Sequence, residues 1–163
     1  MRFLSFALLI MVLGEGQSRA ANFSVGGSGG MEFPFWHTER MDPGLRAEGF
    51  YRIDPYEVRF DYSYLQVHYY SVLLAKKFFF TQDDIRPFVE AALGPCFVNT
   101  PHKGLGYGIS PEISLGAELG INEHFSSSLT MRYSAYWYFG DTKSGTMEAN
   151  HGLSVVAGIS LWF

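Results

Sequence analysis

Cysteine is almost absent from this chain, and Cys96 has no second cysteine with which to form a disulfide. A lone thiol in an oxidising compartment is most simply a small buried side chain, so we assign Cys96 no catalytic or metal-binding role. Charged residues are also few, at 17% of the chain. They form no basic run or arginine-rich segment, which excludes the electrostatic footprint expected of a nucleic-acid-binding protein.

Long apolar runs are missing as well. The segment from Phe3 to Gly14 is too short for a spanning helix, which needs about 20 apolar residues. It follows the basic pair Met1-Arg2 and precedes Ser18-Arg19-Ala20, which is the order of a secretory signal. We predict that residues 1–20 are a cleaved signal peptide and that residues 21–163 form one domain. The mature chain then has 10 basic and 15 acidic residues, a formal charge of −5.

The chain is instead rich in aromatic residues, at 17%, and alternates apolar and polar residues with a period of two. The clearest alternation closes the chain, from His151 to Phe163. One face of this segment is entirely apolar and consists of Leu153, Val155, Ala157, Ile159, Leu161 and Phe163. The opposite face is mostly small or polar. This period predicts a β-strand with two chemically different faces.

The same alternation recurs along the mature chain and predicts eight strands. They are Phe23 to Trp36, Leu45 to Ile53, Tyr56 to Leu65, Tyr70 to Phe80, Ile85 to Val98, Gly106 to Ile121, Phe125 to Phe139 and His151 to Phe163. The fourth segment is apolar on both faces, so its register is left open. Segments of this length cross the hydrocarbon of a bilayer when tilted. We therefore predict an all-β fold, an eight-stranded antiparallel transmembrane up-and-down β-barrel.

The predicted connections alternate in length. Three tight turns, at Asp54-Pro55, Thr81 to Asp84 and Asn122 to His124, are expected at the periplasmic end. The longer segments are expected outside the cell and comprise His37 to Gly44, Asn99 to Leu105 and Gly140 to Asn150. The short link from Gln66 to Tyr69 is unusual for an outer loop. A soluble, lipocalin-like ligand-binding barrel has the same period with an apolar interior, and it is the alternative to this topology.

If the apolar faces meet lipid, charged side chains of both signs point into the barrel. They are Glu32, Arg46, Glu48, Arg52, Glu57, Arg59, Asp61, Lys77, Arg86, Glu90, Glu112, Glu118 and Arg132. An eight-stranded barrel is only wide enough for side chains to fill it, and unpaired buried charges are costly. We therefore expect a polar interior plugged by ion pairs. An ion or proton path along the same charges is the alternative.

Three features together resemble the small bacterial outer-membrane β-barrel families, the OmpA/OmpX-like and OmpW-like proteins. They are the signal sequence, the eight alternating segments and the carboxy-terminal signature of Gly158, Leu161 and Phe163. The resemblance implies export to the outer membrane and insertion by the barrel-assembly machinery. It also implies contact with outer-membrane lipid and lipopolysaccharide. A monomer without a cofactor or nucleic-acid partner is expected, with a structural, surface-contact or limited permeation role.

Lipid A deacylases are a barrel family of this size with catalytic activity, and they carry a His-x-Ser-Asn motif. Ser134 matches the serine of that motif, but Arg132 stands in place of the histidine and Ala135 in place of the asparagine. A hydrolase would therefore need a rearranged set, for which Ser134, His151 and Glu148 are the weak candidates. Ser134 is predicted to face inward and His151 outward. The five histidines lack the spacing of metal ligands, and no metal site is predicted.

Overall fold

The structure is a computed structural model and describes residues 23–35, 42–100, 104–139 and 147–163. The predicted signal peptide lies outside these residues. The eight strands are β1 (Phe23–Pro34), β2 (Gly44–Ile53), β3 (Tyr56–Tyr64), β4 (His68–Phe79), β5 (Ile85–Thr100), β6 (Gly104–Gly120), β7 (Phe125–Phe139) and β8 (Met147–Trp162). Within the described ranges, no helix is long and apolar enough to cross a membrane.

Each strand pairs antiparallel with the next, and β8 returns to pair with β1, so the sheet closes on itself. The closing seam is long and runs from the pair Ser24–Trp162 to the pair Pro34–Gly152. Closure gives every strand two hydrogen-bonded neighbours, as a wall surrounded by hydrocarbon requires. The predicted eight-stranded antiparallel up-and-down barrel is confirmed.

Several strand ends differ from the prediction, mostly at the end of the barrel where the longer connections lie. There β8 begins at Met147 instead of His151, because Met147 still pairs with Phe139 of β7. Similarly, β5 and β6 continue to the pair Thr100–Gly104, so residues 101–103 alone connect them. The prediction of a long outer connection from Asn99 to Leu105 was wrong. Backbone pairing continues there beyond the residues whose alternation is readable, and Gly104 accommodates a φ of +81°.

The two faces of the wall differ chemically. Large apolar side chains on the outside include Val58, Phe60, Leu115, Leu129 and Ile159, each at least 40% exposed. Nearly all charged side chains of the strands point into the lumen. A lipocalin-like barrel has the reverse arrangement, so this alternative does not fit the structure. An apolar exterior around a polar interior is the arrangement of a transmembrane barrel.

Aromatic side chains gather near both ends of the outer surface. At the terminal end, which holds both chain ends of the barrel and the short turns, Phe23 stacks on Phe163 with ring centroids 4.9 Å apart. At the opposite, loop end, Tyr62 lies 5.4 Å from Tyr70 and Tyr107 lies 6.0 Å from Phe139. Such bands place amphipathic rings at the two membrane–water interfaces.

The closed barrel predicts a folded band on a denaturing gel. Protein kept below its unfolding temperature should migrate differently from boiled protein, because all strand edges are paired and little backbone is available to detergent. A chain that lacks β8 cannot close the sheet and is the control, in which boiling should change nothing. Identical mobility of the boiled and unboiled full chain would contradict a closed barrel.

Candidate functional site

The interior charge cluster is the most distinctive feature of the lumen. It consists of the thirteen charged residues predicted to face inward, and each makes at least one ion pair with another member. Twelve of them are buried and Arg86 is half-buried. The period of two on β2 and β3 positions six of these side chains on adjacent strands.

Arg46 is the centre of this cluster. Its Nη2 atom lies 2.6 Å from both Asp61 and Glu112, and its Nε atom lies 2.7 Å from Glu48. Its Nη1 atom donates to the Ser134 hydroxyl over 2.6 Å. The guanidinium group of Arg46 therefore uses all three of its nitrogen atoms to bind acceptors from four different strands. The planar fork of arginine suits this task better than the point charge of lysine.

Two further arginines complete the central layer. Arg59 lies 2.5 Å from Glu90 through Nη1 and 2.9 Å from Asp61 through Nε, and it also contacts Glu112. Arg132 contacts Glu48 and lies 3.2 Å from Glu90. The four carboxylates Glu48, Asp61, Glu90 and Glu112 thus each bridge at least two arginines. Sharing of this kind compensates the cost of removing both charges from water.

A second layer lies nearer the terminal end. Arg52 binds Glu57 over 3.0 Å and Glu118 over 2.8 Å, and Arg86 binds the same Glu118 over 2.5 Å. Lys77 links the two layers, since its ammonium lies 3.2 Å from Glu57 and 3.4 Å from Glu90. Charged groups therefore form one connected network along the lumen.

Tyrosines cover this network at the loop end. Tyr69 stacks on Tyr136 with ring centroids 4.2 Å apart, and Tyr138 meets Tyr69 edge-on. The Tyr136 hydroxyl donates to Glu32 over 3.0 Å, which ties this tyrosine cap to the charges below. The side chains of Leu65 and Val67 in the β3–β4 link pack against the same cluster. The alternation of the sequence does not predict this cap, since stacking across the lumen leaves no local pattern.

The register of β4, left open by the sequence, places Leu73 and Ala75 inside the barrel. Both are fully buried against Ala92 of β5. The interior is therefore not entirely polar. This small apolar patch explains why the fourth segment shows no alternation: its inward and outward faces are both apolar over these residues.

The wall separates His151 from Ser134 and Glu148, the other two weak candidates for hydrolase chemistry. Ser134 pairs with Gly152 and faces the lumen, where its hydroxyl donates to Glu112 over 2.8 Å. His151 pairs with Ala135 and faces outward, with its Nδ1 atom 2.6 Å from the Tyr133 hydroxyl. Glu148 accepts a hydrogen bond from Tyr138 at the loop end. His151 is opposite Ala135, the residue after Ser134, and successive residues on a strand point to opposite faces. The side chains of Ser134 and His151 are therefore not brought together.

The carboxy-terminal signature spans both faces of β8. Gly158 faces the lumen between Ser28 and Ser128, and a Cβ atom there would come within 3.0 Å of both side chains. Phe163 and Leu161 face outward at the terminal end, where Phe163 also hydrogen-bonds through its backbone to Phe23. Among the described residues, no group of histidine, cysteine, aspartate or glutamate side chains is arranged to hold a metal ion.

A cavity of about 310 Å³ opens at the terminal end, between the three short turns. Its lining includes Asp54, Asp84, Glu123, Arg86 and Trp162. Burial raises the pKa of the Asp54 carboxyl above its ordinary value of 3.8, although the nearby guanidinium of Arg52 opposes that shift. Its Oδ1 atom is buried and has no hydrogen-bond partner among the described residues. The charged form of Asp54 is therefore poorly accommodated.

Comparisons with known proteins agree on the fold. No family model and no curated protein sequence matches the chain. Among solved structures it is similar to Neisserial surface protein A, with a TM-score of 0.65 and 17% identity, covering 88% of this chain and 100% of that one. It is also similar to the amino-terminal β-barrel domain of Pseudomonas aeruginosa OprF, with a TM-score of 0.50 and 18% identity over 86% and 97% of the two chains.

A designed transmembrane β-barrel matches as well, with a TM-score of 0.50 and 13% identity over 90% of this chain and 99% of the design. Identities this low show the fold alone. The chain is thus an eight-stranded β-barrel of the kind found in small outer-membrane proteins, as its sequence predicts.

Removal of one shared carboxylate should destabilise the barrel. Glu112→Gln removes the charge of one of the two carboxylates that Arg46 and Arg59 share, and we expect a loss of about 3 kcal/mol in unfolding free energy. Urea titration of protein folded in lipid vesicles measures this loss. Glu148→Gln, at the rim of the loop end, is the control and should cost less than about 1 kcal/mol. If the Glu112→Gln variant is as stable as the unaltered protein, the charge of Glu112 does not contribute to the free energy of unfolding.

Asp54→Asn should change how stability depends on pH. Because the pKa of Asp54 is raised in the folded state, ionisation of this carboxyl lowers the folding stability at pH values above that pKa. The loss disappears at a pH low enough for the carboxyl to be protonated in both the folded and the unfolded state. The variant should therefore be more stable than the unaltered protein at pH 7, and the advantage should vanish below about pH 4. Asp83→Asn removes one exposed charge from the same cavity and is the control. A constant difference across this range would contradict the assignment.

Proposed function

We propose that this protein is an integral outer-membrane barrel with a closed interior and a non-catalytic, structural role. Export by the predicted signal peptide and insertion by the barrel-assembly machinery are part of this proposal. Three observations support the location: the apolar exterior, the aromatic residues at both ends and the likeness to outer-membrane barrels. The carboxy-terminal Phe163 at the end of an outward-facing stripe is consistent with that route.

The observation that carries the closed interior is that ion pairs cross the lumen. Arg46 and Arg52 on β2 reach Glu112 and Glu118 on β6, four strands away around the barrel. From β7, Arg132 reaches Glu48 on β2. Side chains that meet across an eight-stranded barrel occupy the space that a pore would need. This supports a plugged barrel over a permeation role.

The balance of charge supports the same conclusion. The interior charge cluster contains six cations and seven carboxylates in alternating contact, with no ring of one sign along the described part of the lumen. Ion-selective paths commonly use rings of like charge, which attract one ion and leave it weakly enough bound to move on. Here each carboxylate is already bound by arginine or lysine, so a passing cation would have to displace a bound side chain.

The geometry gives no support to the lipid A hydrolase alternative. A serine nucleophile needs a general base within hydrogen-bond reach, typically about 2.6–3.2 Å. The Ser134 hydroxyl instead contacts Arg46 and Glu112, and His151 lies on the opposite face of the wall. Burial of Ser134 beneath the tyrosine cap also separates it from the lipid that such an enzyme would cleave. We therefore interpret Ser134 as part of the polar interior.

A closed barrel should not conduct ions. Single-channel recording of the folded protein in planar bilayers is expected to show no discrete steps beyond the baseline of bilayers without protein. An open porin measured in the same bilayers is the positive control, and the gel-shift band confirms that the inserted protein is folded. Reproducible steps in the unaltered protein, abolished by boiling before insertion, would overturn the plugged interior.

A further inference from the structure

Polar aromatic residues cluster on the outer surface of β3 and β4 at the loop end. This Tyr–His patch consists of Tyr62, Tyr64, His68 and Tyr70. The Tyr62 hydroxyl lies 2.9 Å from Nδ1 of His68, and the His68 ring lies 5.0 Å from that of Tyr64. Tyr62 also packs against Tyr70, with ring centroids 5.4 Å apart. The four side chains therefore form one contiguous, mutually supported surface.

The patch faces away from the lumen. Tyr62 pairs directly with Tyr70 and Tyr64 with His68, so all four side chains share the outward face. Tyr64 is 42% exposed and Tyr70 is 45% exposed. The next residues along the same face, Phe60 and Val72, are apolar and exposed. The patch thus marks the point where the outer surface changes from hydrocarbon-facing to polar.

The connection above the patch does not cover it. Only Leu65, Gln66 and Val67 separate β3 from β4, and Gln66 adopts a φ of +64°. The backbone N–H of Leu65 donates to the carbonyl of Val67 over 3.1 Å, and both side chains pack inward against the tyrosine cap. The link therefore turns over the lumen and does not itself cover the Tyr–His patch.

We propose that the Tyr–His patch binds the phosphorylated disaccharide headgroup of lipid A in the outer leaflet. Tyrosine hydroxyls and an imidazole N–H are donors suited to a phosphate, and tyrosine rings offer flat apolar faces beside those donors. A pyranose ring matches such a face with its own C–H groups, whereas a glycerophospholipid headgroup has no ring to place there. This inference rests on the proposed outer-membrane location and on the assignment of the loop end to the outside.

The chain contains a matched comparison. Tyr133 and His151 form a second outward pair at the loop end, on β7 and β8, with the Tyr133 hydroxyl 2.6 Å from Nδ1 of His151. The rings stack at 5.8 Å, much like those of Tyr62 and His68 at 6.0 Å. This pair has Phe35 edge-on to Tyr133 instead of two additional tyrosines. It reproduces the Tyr–His contact without the extended donor surface.

The test uses the mature protein folded in detergent micelles and titrated with lipid A, with bound lipid counted by native mass spectrometry. The patch variant Tyr62→Phe/Tyr64→Phe/His68→Phe/Tyr70→Phe keeps every ring and removes the polar atoms. We expect it to lower the affinity for lipid A roughly tenfold, as the loss of one or two hydrogen bonds to a charged group implies. The control Tyr133→Phe/His151→Phe should stay within about twofold of the unaltered protein. Heat-dependent gel shifts confirm that all three proteins are folded.

Two further lipids identify what is recognised. Lipid A without its phosphates should bind the unaltered protein about as weakly as lipid A binds the patch variant. Phosphatidylglycerol, which has a phosphate but no sugar ring, should bind the unaltered protein more weakly than lipid A does. Each of three results would overturn the proposal: unchanged lipid A binding in the patch variant, an equal loss of lipid A binding in the control variant, or equal binding of phosphatidylglycerol and lipid A to the unaltered protein. Such a result in a folded, non-conducting barrel would leave the proposed structural role intact, so the two failures are distinguishable.

Discussion

Compensation of buried guanidinium groups is the constraint on which this structure depends. The closed wall of eight strands encloses a narrow lumen, into which five arginines and a lysine point. Seven carboxylates at fixed positions supply the acceptors, some from the same strand as the cation and others from neighbouring or distant strands. Because Arg46 reaches Glu112 across the barrel, the pairs hold distant strands at a fixed separation. The network thus connects distant strands across the lumen as well as neutralising charge.

Small residues on the closing strands make room for these long side chains. Glycine and serine dominate the inward faces of β1 and β8, including Gly26, Gly30 and Gly152. A Cβ atom at position 152 would collide with the carboxylate of Glu32, and one at position 26 would collide with the ring of Phe50. The lumen is therefore divided unequally: β2, β3 and β5 to β7 contribute most of the charges, and β1 and β8 contribute space. Enlarging a residue at the seam would displace charged partners, which connects the backbone pairing of β1 with β8 to the ion pairs inside.

The barrel and the inward direction of its charged side chains were predictable because both depend on a period of two. This period is readable wherever the two faces of a strand differ in polarity. Prediction failed where they do not differ. The inward Leu73 and Ala75 lie on a strand that is apolar on both sides, so pairing with β5 alone settled the register. Contacts across the lumen were equally inaccessible. Alternation places Arg46 inside, but its contact with Glu112 of β6 depends on barrel closure. Cross-lumen stacking of Tyr69 on Tyr136 has the same origin.

The plugged lumen that we propose makes the outer surface the more accessible place for binding. The interior carboxylates are bound by arginine or lysine, so a ligand entering there would have to break several charge-assisted hydrogen bonds at once. A polar side chain on the outer wall has few hydrogen-bond partners within the protein. The hydrocarbon of the bilayer offers it none, so its partners must come from the headgroup region. Tyr64 and His68 lie at that boundary, and their polar atoms can bind lipid with little loss of folding stability. Apolar substitutions can remove those polar atoms without unpairing any buried charge, and so separate lipid recognition from stability.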